Sequence, residues 1–279
     1  MLEARHTVGV IGDAKPSTAP STSDSEAPPR GDRLGLEVLA VLSVSYAMSG
    51  LYALLSFIRA QVTINHGIGF SGVATAPLNR GRETEFQWLD ILDHLADVVS
   101  GLAPAFLAIV LLLRSPGGRG LGVGLDRLRT KELFQGFGFA AAIGIPGLAL
   151  VYAARELGFN AQIVATDFDD VWYRIPVLLL NAFQNGAAEE VIVTAYLLTR
   201  LRQLGWTSSR SVAAAAVLRG SYHLYQGYGA FVGNAVMGVI FGWWFQRTRR
   251  IVPLIVAHTV IDAVSFIGYI YLHGKVSWL

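Results

Sequence analysis

The chain has 279 residues, of which 53% are hydrophobic and only 15% charged, with a formal net charge of +2 and no cysteine. A soluble domain carries about a quarter charged residues, so this composition excludes an ordinary soluble globule and marks a polytopic membrane protein. The missing cysteines rule out a disulfide framework and thiolate chemistry, and the small net charge gives no basis for nucleic-acid binding.

Residues 1–33 read as a cytoplasmic tail. The stretch from Lys15 to Asp32 is rich in Pro, Ser, Thr and Ala, lacks apolar surface to bury, and is expected to be disordered. It does not have the basic start and short apolar run of a cleaved signal peptide. The remainder, 34–279, reads as a transmembrane helical domain. Apolar runs of spanning length fall at 35–58, 88–113, 133–154, 175–201, 209–225, 229–246 and 251–272. They predict an all-α polytopic bundle of about seven spans.

The loops set an expected orientation. Segment 114–131 holds Arg114, Arg119, Arg127, Arg129 and Lys131 against Asp126, while segments 200–210 and 247–250 hold arginines and no acid. Loop 155–174 instead sets Glu156, Asp167, Asp169 and Asp170 against two arginines. The positive-inside rule then places the N-terminus in the cytoplasm, in a multi-pass protein of the cell (plasma) membrane.

Against this apolar background, Glu189-Glu190 lies inside the run 175–201, His223 near the end of 209–225, and His258 within 251–272, with Asp262 one turn beyond. A charge within a bilayer is expensive and marks a functional site by default. At 1.5 Å per residue, Glu189 lies roughly 17 Å, His223 roughly 20 Å and His258 roughly 12 Å from the nearest cytoplasmic arginine, depths that tilted helices can bring to one level. Carboxylates and imidazoles are the parts that activate water. A Glu in a low-dielectric site serves as a general base, and an imidazole holds the water, binds Zn²⁺ or donates to an oxyanion. Asp262, four residues after His258, shares its helix face and can orient the imidazole or join it as a ligand.

Glu189-Glu190, then His223 trailed by Leu224-Tyr225-Gln226-Gly227, then His258-x-x-x-Asp262, resembles the CPBP family of intramembrane proteases. That family includes the type II CAAX prenyl endopeptidases and the bacteriocin-processing and immunity proteins. Its pattern is Glu-Glu-x-x-x-Arg, Phe-x-x-x-His and His-x-x-x-Asn/Asp on successive membrane helices, and the likeness covers residues 175–272, the expected catalytic core. The resemblance implies an intramembrane metal-dependent endopeptidase acting on a membrane-associated or lipidated peptide or a protein C-terminus. Glu189 would activate water and His223 would place it. His258 and Asp262 would complete the site, as ligands or as stabilisers of the tetrahedral intermediate. Zn²⁺ is the implied metal, at Glu189, His223 and His258, although a metal-free glutamate mechanism uses the same residues.

The chain departs from the pattern twice. Thr194 stands at the arginine position and Arg219 at the phenylalanine position, and the paired change predicts that Arg219 supplies the charge partner of Glu190. Two other readings stay open: a non-catalytic scaffold or immunity-type protein that keeps the fold, and a proton-coupled transporter built on Asp90, Asp97 and the central acids. Asp90, Asp93, His94 and Asp97 share one helical face and, following Glu83 and Glu85, are expected to form the solvated outer end of their helix.

Overall fold

The apolar runs fold as helices, the form in which a lipid-embedded segment satisfies its own backbone amides and carbonyls. The structure, a computed structural model, describes residues 31–64, 74–81, 86–114, 123–125 and 128–276. Residues 1–30 of the expected tail lie outside the described residues, and residues 31–33 open the first helix.

Helix α1 (Gly31–Ser43) and helix α2 (Tyr46–Ile64) divide the first apolar run, with a bend of 55° between them. The break falls at Ser45, whose hydroxyl donates to the Val41 carbonyl at 2.7 Å and so competes with the helical ladder. Then follow α3 (Gln87–Leu113) and α4 (Thr130–Glu156). The next run is one continuous path in three pieces: α5 (Arg174–Glu189), a π-helical segment (Glu190–Tyr196) and α6 (Leu197–Gln203). Helix α7 (Ser208–Tyr222) is capped by Thr207, whose hydroxyl accepts from the Arg210 amide at 3.3 Å. A 3₁₀ turn (Leu224–Gln226) leads to α8 (Tyr228–Thr248), and α9 (Val252–Leu272) closes the bundle.

Among the described residues, four helices are long and apolar enough to cross a membrane, α3, α4, α8 and α9, and the bent α1–α2 pair makes a fifth if it counts as one span. The expected count of about seven also took in the runs that became α5–α6 and α7. Those two carry Asn181, Gln184, Asn185, Glu189, Glu190 and Arg219, and α7 has only 15 residues. At 1.5 Å per residue α7 is about 22 Å long, short of a ~30 Å hydrocarbon core. Each of the two runs turns one face inward, with Leu178, Ala182, Ala215 and Arg219 buried, while Leu179, Phe183 and Val217 are exposed. The π segment lies at the centre of the bundle, with Ile192, Val193, Ala195 and Tyr196 all buried, while Val99, Phe106, Phe134 and Ile145 of α3 and α4 face outward.

One departure from all-α architecture is a two-stranded parallel sheet, β1 (Thr75–Pro77) with β2 (Gln162–Val164), in register Thr75 to Gln162 and Pro77 to Val164. It ties the connection after α2 to the connection after α4. An antiparallel bridge from Asn160 to Gly227 fastens the second of these to the turn after α7.

Candidate active site

The end of α5, the π segment, the end of α7 and the middle of α9 converge. Helices α5 and α9 approach closely because residue 186 is glycine: a Cβ there would lie 2.8 Å from Thr259 Oγ1, 2.9 Å from the Thr259 amide nitrogen and 3.3 Å from His258 Cβ. Adjacent residues on an α-helix already diverge by about 100°, and the change to π register at Glu190 falls between the two acids, a feature that recurs at functional sites. The acids therefore meet different partners.

Glu189 is divided between its two oxygens. The Tyr222 hydroxyl donates to Oε2 at 2.7 Å, while Oε1 faces His223 Nε2 at 3.7 Å. Tyr222 is itself fixed by stacking on Tyr46, ring centroids 4.6 Å apart. His223 caps α7, and its Nδ1 lies 3.4 Å from Gln226 Nε2. Its Nε2 is buried and has no hydrogen-bond partner among the described residues. The pair thus presents one carboxylate oxygen and one ring nitrogen with capacity to hold a water.

Glu190 is an anchor. It is fully buried, as is Arg219, whose Nη2 donates to Oε1 at 2.6 Å. Thr194 donates its hydroxyl to Oε2 at 2.7 Å, and His258 donates from Nδ1 to Oε1 at 2.9 Å. One carboxylate therefore ties the π segment to α7 and α9. The guanidinium lies 5.7 Å from the Phe241 ring centroid, and Gly238 leaves it room: a Cβ there would be 2.9 Å from Ala216 Cα and 3.4 Å from Arg219 Cδ. With Nδ1 held, His258 turns Nε2 toward Asp262 Oδ1 at 3.8 Å, and Asp262 Oδ2 accepts from Asn185 Nδ2 at 3.4 Å.

All six residues singled out in the sequence therefore meet in one place, but as two sub-clusters, Glu189–His223 and Glu190–Arg219–His258–Asp262. The expected metal set of Glu189, His223 and His258 does not gather as one. Among the described residues no group of three or more His, Cys, Asp or Glu side chains is placed to hold a metal ion. The reason is local: Glu190 fixes the His258 ring on the α9 side, while Tyr222 holds Glu189 toward the end of α7. The donors form two pairs rather than a tetrahedral shell.

Tyr222 and Asn185 join the cluster although sequence reasoning gave them no place in it, and Thr194, noted there only for standing where the family has arginine, hydrogen-bonds Glu190. Asn181, Asn185 and Glu189 recur every four residues on one face of α5, a periodicity that was there to be read. The stripe on α3 is a correction in the other direction. Asp90 and His94 are buried, each 4% exposed, because loop 165–173 folds over the start of α3. Tyr173 donates to Asp90 Oδ2 at 2.5 Å and His94 stacks on Phe168 with centroids 4.6 Å apart. The bond to Asp90, with burial, pushes the Tyr173 phenol up to about 12. Asp93 and Asp97 are exposed, and Glu83 and Glu85 lie outside the described residues.

No curated protein and no solved structure matches the chain. Residues 171–264, which hold Glu189, Glu190, Thr194, Arg219, His223, His258 and Asp262, match the family model described as Type II CAAX prenyl endopeptidase Rce1-like.

Proposed function

We propose that the protein is an intramembrane endopeptidase in which Glu189 activates water for attack on a membrane-associated peptide or protein C-terminus. The observation that carries this reading is the division of the Glu189 carboxylate: Oε2 is held by Tyr222, and Oε1 faces a His223 Nε2 that has no other partner among the described residues. A water hydrogen-bonded to both gives a proton to Glu189 as its oxygen bonds to the peptide carbonyl carbon. The carbonyl π pair moves onto oxygen. When the tetrahedral intermediate collapses, the carbonyl re-forms, the C–N bond breaks, and the leaving amine takes the proton from Glu189. His258, fixed through Nδ1 by Glu190, is placed to stabilise charge with Nε2.

Because the donors form two pairs, no step here passes through a metal. The loop charges support a multi-pass plasma-membrane protein with its N-terminus in the cytoplasm. The described residues hold four candidate spans and the bent α1–α2 pair; the reading of about seven adds the α5–α6 path and α7, with α7 reaching through only part of the hydrocarbon core.

The test is cleavage of an internally quenched peptide by protein purified in mild detergent. Glu189→Gln is expected to lower turnover by roughly 10²–10⁴-fold, the usual worth of a general base. Undiminished turnover by that variant would sink the proposal. In the same assay, activity is expected to survive a chelator, and its stoichiometric loss and recovery with Zn²⁺ would restore a metal to the mechanism.

A further inference from the structure

We infer that Asn185 is a further catalytic residue, the neutral amide that donates to the oxyanion; the inference rests on the peptidase reading above. An oxyanion needs donors aimed at the position where charge develops. Asp262 occupies the place next to His258 on α9, but a carboxylate is acceptor-only and repels a developing negative charge. The amide nearest to it belongs to Asn185, whose Nδ2 lies 3.4 Å from Asp262 Oδ2. Asn185 is half-buried, one turn before Glu189 on the same face of α5. The Asn185 amide, one turn before the base, therefore meets the His258–Asp262 pair across the close α5–α9 crossing at Gly186.

An asparagine amide carries two N–H donors, so one bond to Asp262 leaves the other free for substrate. Asp262 is then the residue that positions the amide, rather than a donor itself. The other polar residues of α5 have different destinations. Asn181 donates to Asn79 Oδ1 at 3.0 Å, toward the loop, and Gln184 packs over Gly101 of α3. In the reaction, water oxygen bonds to the carbonyl carbon, its proton passes to Glu189, and the π pair goes to the carbonyl oxygen. The second N–H of Asn185 donates to that oxygen until the pair returns and the C–N bond breaks.

The test uses the full chain in detergent, with the quenched peptide and a tetrahedral phosphinate analogue of it. Asn185→Ala is expected to lower kcat by about 10²–10³-fold with little change in KM, the usual loss for one oxyanion donor, and to weaken phosphinate binding in parallel. Adding Asp262→Asn to Asn185→Ala returns an amide to the site and is expected to recover roughly tenfold of that loss. Asn185→Leu, of similar volume, repeats the comparison should the alanine variant unfold, and thermal unfolding of each variant separates lost donation from lost fold. Unchanged kcat and phosphinate affinity in a folded Asn185 variant, or a loss that Asp262→Asn does not repair, overturns the inference. It does so without touching the peptidase reading, provided that Glu189→Gln is inactive. A wild-type protein that neither cleaves the peptide nor binds the phosphinate removes both.

Discussion

Replacing Arg219 with methionine strands the Glu190 carboxylate in the middle of the bundle. Both side chains are fully enclosed, 0% exposed, and the guanidinium sits 2.6 Å from Oε1. Breaking a buried pair by removing one partner costs about 3–5 kcal/mol, most of it the penalty of an uncompensated charge. Glu190 keeps the Thr194 hydroxyl at 2.7 Å and His258 Nδ1 at 2.9 Å, so the loss is expected near the lower end, about 3 kcal/mol. Removing both charges together, Arg219→Met with Glu190→Gln, is expected to cost less, because no unpaired charge is left buried and the Gln carbonyl can still accept from Thr194 or His258. Thr194→Arg in the Arg219→Met background puts a cation back four residues from Glu190, on the same helix face, and is expected to recover part of the stability. The assay is denaturant unfolding in mild detergent, read by circular dichroism, with peptidase turnover measured on the same samples. An Arg219→Met protein as stable and as active as wild type refutes the argument. So does a double variant no better than the single one.

Two further substitutions probe how the site is held. Tyr222→Phe removes the donor to Glu189 Oε2, a charge-assisted bond of about 1.5–3 kcal/mol, and is expected to lower kcat by about tenfold or more with the fold intact; unchanged kinetics would mean that Tyr222 does not set the base. Gly186→Val pushes a side chain against the Thr259 backbone, which is 2.9 Å from a Cβ at that position, and separates α5 from α9. Overpacking of this kind costs about 1–3 kcal/mol, yet activity is expected to fall by roughly 10², since a misplacement of about 1 Å between reacting groups is enough. Gly138→Ala, where a Cβ meets nothing within 4 Å, serves as the control and is expected to leave both readouts unchanged.

What the sequence made legible follows the size of the physical signal. The apolar runs located the helices to within a few residues, because roughly 20 apolar residues in a row have few other uses. The break at Ser45 was hidden, since one hydroxyl bonding backward leaves the hydropathy unchanged. The β1–β2 pair was hidden because three residues are too short to show an alternation. The π segment was hidden because a shift of backbone register leaves no mark in composition. On α3, the spacing of Asp90 and His94 correctly announced one face. It could not announce that loop 165–173, some 75 residues later in the chain, covers that face.

The same rule separates the two halves of the site. Ionisable residues in an apolar run cost so much that each stands out, which is why Glu189, Glu190, Arg219, His223, His258 and Asp262 could be found without coordinates. The two departures from the family pattern also fit this account. Thr194 and Arg219 lie 25 residues apart in sequence, and the guanidinium of one and the hydroxyl of the other reach the same carboxylate from α7 and the π segment. A buried acid needs compensation but does not specify which helix supplies it, so a cation can leave one position and be replaced from another. Neutral donors are different. A tyrosine or an asparagine in a membrane helix signals less than a charge, so Tyr222 gave no sign of its role, and the four-residue spacing of Asn181, Asn185 and Glu189 showed a shared face but not which partner Asn185 meets. If charged residues supply the reactivity here and neutral ones supply its aim, then variants of Tyr222 and Asn185 should change kcat while the charged framework and the fold stay in place. Variants of Glu190 and Arg219 should instead lose activity and stability together. That contrast follows from which contacts span three helices and which touch a single reacting group.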